Sequence, residues 1–184
     1  MFGAAMIMIG VVLVAERSGR LGRCWSAMKV MMRRMTENAA IQPVTAEVQA
    51  RIRASFERQG LMRHLGACLT DIGQGQVRIK VSASPEVSQQ HGYIHAGAAA
   101  AIADSAGGYA ALTMMPADSE ILTVEYKINF LVPAAGDLEA VGWVLRSGRT
   151  LTVCRLEVVS TNGSQRTVVA SGQQTLVRVP FQSE

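Results

Sequence analysis

With 184 residues, 49% of them hydrophobic and 17% charged, the chain has the length and composition of one globular domain and lies outside the disordered class. Its net charge of +4 is carried by residues 1–34, which hold six basic side chains against Glu16, whereas from Met35 onward 12 basic residues face 13 acidic ones. That near-neutral body offers no basic face to nucleic acid, and three widely spaced cysteines (Cys24, Cys68, Cys154) with no CxxC pair argue against a disulfide framework or a zinc site and for a reducing cytoplasm.

Residues 1–34 read as an N-terminal extension ahead of a single domain over 35–184. Its apolar run, Met1 to Ala15, falls short of the roughly 20 residues of a membrane span. A signal peptide would carry its positive charge before that run; here the charge follows it. Three readings stand: a dispensable or mis-started leader with Met35 as the working start, a weak membrane anchor with cytoplasmic arginines, or a targeting peptide. Membrane contact is confined to this segment.

Thr45 is placed to cap a helix over about Ala46 to Gln59, with Val48, Ile52 and Phe56 on one face and Gly60 as its stop. GACLTDI and QVRIKVSA then flank Gly73-Gln74-Gly75 as a hairpin, and Val77, Ile79 and Val81 alternate with Arg78, Lys80 and Ser82. Pro85 to Ile94 reads as a loop, followed by a helix to about Met114 that Pro116 and Asp118 terminate. Four strands complete the chain, over 121–132, 137–148, 149–160 and 165–179, with turns at Pro133–Gly136, Ser147-Gly148 and Thr161–Ser164. This order predicts an α+β protein, an antiparallel sheet packed on one long helix.

Small residues dominate that helix: from Ala96 to Leu112 only Ile102, Tyr109 and Leu112 are large apolar side chains. Gly107 and Gly108 together weaken it by about 2 kcal/mol relative to alanine, a loss that close approach of an enclosing sheet would offset. Asp104 shares a side with Ala100, Ala101 and Gly108. A carboxylate there is either a solvated or hydrogen-bonded structural acid, or one that reaches a cleft. At the helix start, the N–H groups of Ala96 and Gly97 are expected to be unpaired donors at the positive end of the dipole, suited to a carbonyl oxygen gaining negative charge.

Gln89, Gly92, His95, Ala96, Gly97 and Asp104, with an acid nine residues after the histidine, resemble the loop and helix of the PaaI-like branch of the hotdog-fold acyl-CoA thioesterases. LTVEYKINFLVPA (122–134) and SGRTLTVCRLEV (147–158) are similar to two further segments of that family, so the resemblance extends over about residues 60–178. It implies a hotdog fold, a curved antiparallel sheet wrapped around one central helix. Subunits would join sheets edge to edge as a homodimer or homotetramer, with sites at the interface and no metal or cofactor.

The implied chemistry is hydrolysis of acyl-CoA. Asp104 is the general base or nucleophile, the Ala96 N–H polarises the thioester carbonyl, and Gln89 positions substrate or water. Thr123 either orients the water or is a strand threonine chosen for β propensity. His95 anchors the loop or touches the thioester. Gly97, Arg149 and Thr150 are candidate substrate contacts; Arg149 either meets CoA phosphates or is an ordinary hairpin arginine. Two departures stand out: Ala96 replaces the usual glycine, and Gln89 the commoner asparagine. His91, His95 and Asp104 make a poor metal set, because the two histidines lie in a loop. The rival reading is a hotdog protein that binds acyl-CoA without turnover; the hydratase branch would need a second His/Asp pair that is not found.

Overall fold

Thr45 Oγ1 accepts the Val48 N–H at 3.4 Å and opens helix α1, Ala46–Arg58, whose Ile52 and Phe56 are buried. These elements come from a computed structural model that describes residues 41–180; the extension over 1–34, and the three readings given to it, lie outside the described residues. Gly60 does not stop α1 as expected. The chain turns at Gln59, which is extended, and Gly60 starts a second short helix, α2, Gly60–His64. The Gln59 amide is held by Tyr109 and Ser105 of the central helix, so a tertiary anchor rather than a glycine terminator ends α1.

The hairpin of β1 (Cys68–Gly73) and β2 (Gln76–Val81) is followed by the central helix α3, Ala96–Leu112. Strands β3 (Ser119–Phe130), β4 (Asp137–Ser147), β5 (Leu151–Asn162) and β6 (Gln165–Pro180) complete the chain. All pair antiparallel in one six-stranded sheet of order β1-β2-β4-β5-β6-β3. The expected α+β architecture, a curved sheet around one long helix, is the one observed. Alternation works as the residues suggest: Val77, Ile79, Leu138, Ala140, Leu156, Val158 and Ala170 point at α3 and are buried with Ile102, Ala106 and Ala110. Among the described residues no helix is long and apolar enough to cross a membrane.

Two glycines of α3 that look equivalent in sequence have different causes. A Cβ on Gly107 would fall 2.0 Å from Gln174 Oε1 and 2.6 Å from Leu156 Cδ2, so the sheet leaves no room for one. From the sheet side, a Cβ on Gly142 of β4 would lie 2.5 Å from the Ala106 carbonyl and the Gly107 nitrogen. A Cβ on Gly108, by contrast, would meet only Ile121 Cδ1, at 3.7 Å, which is ordinary contact. Close approach of the sheet therefore explains Gly107 and not Gly108. Gly107→Ala is expected to destabilise the protein by about 1–3 kcal/mol through overpacking. Gly108→Ala should instead stabilise it by up to about 1 kcal/mol through helix propensity. Urea denaturation of the two variants checks the opposite signs.

Candidate active site

One half of the site is the loop before α3. Ser88 bridges Ile94, the Gln89 N–H donates to the Tyr93 carbonyl at 2.8 Å, and Gly92 closes the turn at a positive φ of 80°. The side chain of Gln89 belongs to this turn: its Oε1 accepts the His91 N–H at 2.5 Å. The loop is pinned by the Ile94 N–H on the Ala134 carbonyl (2.9 Å) and the His95 N–H on the Val87 carbonyl (2.8 Å).

His95 is the N-cap of α3, and its Nδ1 accepts the Gly97 N–H at 2.8 Å. A neutral ring in this role carries its proton on Nε2, a donor without a protein partner among the described residues, and the residue is exposed. The expectation of two unpaired N–H groups is thereby corrected: that of Gly97 is taken by the cap, while that of Ala96 has no protein partner among the described residues. The same cap explains why residue 97 is glycine, since a Cβ there would sit 2.9 Å from Nδ1. Beside the loop lies a cavity of about 650 Å³ lined by Gln89, His95, Ala96 and the apolar segment Phe130–Ala134.

The other half is Asp104. Its Oδ1 accepts from Thr123 Oγ1 at 2.8 Å and from Gln174 Nε2 at 2.5 Å, leaving Oδ2 without a partner among the described residues. Gln174 Nε2 also reaches Thr123 Oγ1 (2.9 Å) and the Asp104 carbonyl (3.2 Å). Thr123 is aimed at the helix by a bulge in β3, where the register against β6 shifts between Thr123 and Glu125. Gln174 is fully buried, yet its Oε1 has no donor among the described residues.

A smaller cavity of about 250 Å³ opens beside Asp104, floored by Gly108 and walled by Thr123, Ser55, Gln59 and Tyr109. Gln59 Nε2 donates to Tyr109 Oη (3.0 Å), Tyr109 Oη to Ser55 Oγ (3.3 Å), and Ser105 Oγ to Gln59 Oε1 (3.1 Å). Burial pushes the Tyr109 phenol above its usual range, so it remains a neutral hydroxyl.

Within one chain the halves do not meet. Ala96 and Asp104 are eight positions apart on the helix, about 12 Å along the axis, and each lines its own cavity. Arg149 and Thr150 sit in the exposed β4–β5 turn and line neither cavity. Burial pushes the Cys154 thiol up to about 12, which leaves it protonated and unsuited to nucleophilic attack. Among the described residues no three His, Cys, Asp or Glu side chains are grouped as a metal site requires.

Gln174 and the Gln59–Tyr109 pair were not singled out from sequence. A signal existed for Gln174: Ala170, Gly172, Gln174 and Leu176 share the inward face of β6, where a glutamine is out of place.

Residues 91–167 match the thioesterase superfamily. A thioesterase family protein of known structure from Silicibacter pomeroyi superposes with a TM-score of 0.71 at 34% identity, covering 73% of this chain and 99% of that one. A Halobacterium salinarum protein provisionally named an esterase is 30% identical over 135 residues, 69% of this chain and 89% of its own length. The E. coli PaaI protein, from the phenylacetic acid degradation operon, shares the fold at a TM-score of 0.66 and 22% identity, over 74% of this chain and 96% of that one.

If the imidazole of His95 serves the helix terminus, His95→Ala should lower stability by about 1 kcal/mol and His95→Asn should restore most of the loss, because asparagine caps well. Urea denaturation reads both. Equal losses would mean that the ring supports something other than the cap.

Proposed function

We propose that this chain, which belongs to the thioesterase superfamily, hydrolyses acyl-CoA thioesters to a free acid and CoA. The observation that carries this reading is Asp104: Thr123 and Gln174 hold its Oδ1, its other carboxylate oxygen has no partner among the described residues, and the residue lines a cavity. Oδ2 takes a proton from water as the water oxygen adds to the thioester carbon, or adds to that carbon itself to give a mixed anhydride that water then opens. In either route the carbonyl oxygen gains negative charge and the CoA thiolate departs, to be protonated as free thiol. The Ala96 N–H at the start of α3 suits that oxygen, with the helix dipole and His95 Nε2 adding to the field.

Because the two halves lie about 12 Å apart along one helix, a working site takes Asp104 from one copy and the loop of Gln89, His95 and Ala96 from another. The outer edge of β3 is unpaired among the described residues, and Leu122, Val124, Tyr126 and Phe130 are exposed along it. A twelve-residue unpaired edge carrying these exposed apolar side chains invites strand pairing, which supports a homodimer that joins β3 to β3, alone or within a homotetramer. With Gln89 Oε1 engaged in its own turn, the Gln89 amide N–H groups are what it can offer to substrate or water. Gly97 lets the thioester approach the helix start, and Arg149 and Thr150 stand ready for the CoA phosphates on the exposed turn.

A thiol-reagent assay over an acyl-CoA panel tests the reading. Asp104→Asn should lower kcat by about 10³ or more, and Gln174→Met by about tenfold with stability changed by no more than about 1 kcal/mol. Activity that survives Asp104→Ala would sink the assignment of Asp104. Binding without turnover in the native protein would favour the non-catalytic alternative.

The shared site has its own test. His95 is extended (φ −63°, ψ 134°), the conformation a following proline requires, so Ala96→Pro removes one N–H donor at a position that tolerates proline. It should lower kcat by about 10²–10³. After subunit exchange, an equal mixture of Ala96→Pro and Asp104→Asn should recover about a quarter of native activity, since half the dimers are mixed and each of those has one intact site. No recovery would place both halves in one chain.

A further inference from the structure

The cavity beside Asp104 has a composition that thioester hydrolysis alone does not require. Its floor, Gly108, is the helix glycine that the sheet does not demand: a Cβ there would find only Ile121 Cδ1, at 3.7 Å. An alanine would fit and would favour the helix, so the absent side chain leaves open volume. The wall away from Asp104 is polar and comes from another element, α1, through Ser55 and Gln59. α1 is fixed over this spot because the Arg51 guanidinium donates to the Pro116 carbonyl (3.0 Å) and to that of Ser119, binding the helix to the α3–β3 connection. Phe56 stacks edge-on to Tyr109 at 5.8 Å and holds the other end.

The hydrogen-bond inventory of this wall is incomplete in one direction. Tyr109 Oη accepts from Gln59 and gives its only proton to Ser55, and Gln59 Oε1 accepts from Ser105. The second N–H of Gln59 Nε2 and the hydroxyl proton of Ser55 then have no acceptor among the described residues. Ser55 and Gln59 both line the small cavity, so two unspent donors there call for an oxygen acceptor. That oxygen must be neutral, because Asp104 and Glu120 also line the cavity and would repel an anionic tail. At about 250 Å³ the space lies below the roughly 300–1,000 Å³ of sites that enclose drug-sized ligands, so it suits a short chain.

We propose that Gln59, Ser55 and Gly108 form the acyl subsite and select short acyl groups bearing a neutral oxygen substituent, a hydroxyl or keto group, over the unsubstituted chains of equal length. The proposal rests on the acyl-CoA reading above and adds a chemical class to it. Gln59 and Ser55 touch the substituent, Gly108 sets the depth, and Tyr109 is a positioning residue that orients the Gln59 amide. A site built to hydrogen-bond a substrate oxygen discriminates against the analogue lacking it, because its donors are then left unpaired.

The experiment compares kcat/KM for acetyl-CoA, butyryl-CoA, 3-hydroxybutyryl-CoA, 4-hydroxybutyryl-CoA and succinyl-CoA in the full-length protein and in Gln59→Leu, Tyr109→Phe and Gly108→Leu. The native enzyme should prefer at least one hydroxybutyryl thioester over butyryl-CoA by about tenfold or more and discriminate against succinyl-CoA. Gln59→Leu should erase the hydroxyl preference, and Tyr109→Phe should reduce it. Gly108→Leu should cut kcat/KM for every four-carbon thioester by about tenfold or more relative to acetyl-CoA. Equilibrium binding of the same thioesters to Asp104→Asn gives the preference without turnover. Should the native protein hydrolyse none of them while Asp104→Asn binds the hydroxylated pair more tightly, the hydrolysis reading falls and the subsite stands. Equal binding and equal turnover of butyryl and hydroxybutyryl thioesters, unmoved by Gln59→Leu, would overturn the subsite and leave hydrolysis intact.

Discussion

Backbone meets backbone where β4 crosses α3. At Gly142 the strand comes so near that an added Cβ would lie 2.5 Å from the Ala106 carbonyl and the Gly107 nitrogen. The missing side chain at Gly142 allows that approach, while the one missing at Gly107 makes room for Leu156 of β5 and Gln174 of β6. With the centre of the sheet held against the helix, β5 brings Cys154 Sγ to the Gly107 carbonyl at 3.4 Å. β6 brings Gln174 to Asp104, and β3, on the far side of β6, brings Thr123 to the same carboxylate oxygen. Asp104 is therefore oriented by a sheet that lies close to the helix where Gly142 and Gly107 lack side chains.

A sheet curved around one helix has two edges, and they are treated differently. β1 is partly covered by the segment before α1, through the Gln74 N–H on the Gln42 carbonyl and the bridge from Pro43 to Gly73. Among the described residues the outer edge of β3 has no strand partner, and Leu122, Val124, Tyr126 and Phe130 are exposed along it. The bare edge adjoins Thr123, and the loop with the unpaired Ala96 N–H stands about 12 Å along the helix from Asp104. On the proposed reading a second copy serves both features, burying an edge and completing a reaction centre. Sheet pairing would thus couple assembly to activity.

Much of this was legible in the residues, and the parts that were not share a cause. Periodicity and turn chemistry located the strands and the helix closely: β4, expected over 137–148, spans Asp137–Ser147, and β6, expected over 165–179, spans Gln165–Pro180. Both signals are local, so they survive without tertiary knowledge. Asp104 also stood out locally, as a carboxylate among alanines. Its partner Gln174 lies 70 residues away, and alternation reports only that residue 174 faces inward, not what it meets there. Gly60 misled because α1 is ended by the hold of Gln59 on Tyr109, 50 residues on, rather than by a terminator of its own. Gly97 misled because a histidine cap consumed a donor that a generic helix terminus leaves open. Gly107 and Gly108 are indistinguishable as letters; only the distance to the sheet separates them.

The contrast between those glycines bears on what the helix is for. One helix glycine costs about 1 kcal/mol against alanine, and at position 107 packing recovers it. Nothing packed against position 108 does so, and the space left open adjoins the Asp104 carboxylate. Gln174 shows the same imbalance: it directs its donor at Asp104 and Thr123 while its own carbonyl oxygen is buried without a donor, a deficit of about 1–3 kcal/mol. Both local losses fall at the one carboxylate the helix contains. A chain selected only for stability would fill position 108 and place an apolar residue at 174. Retaining neither remedy is what a site shaped for a ligand requires, since an unfilled volume and an oriented carboxylate have value only when something binds between them.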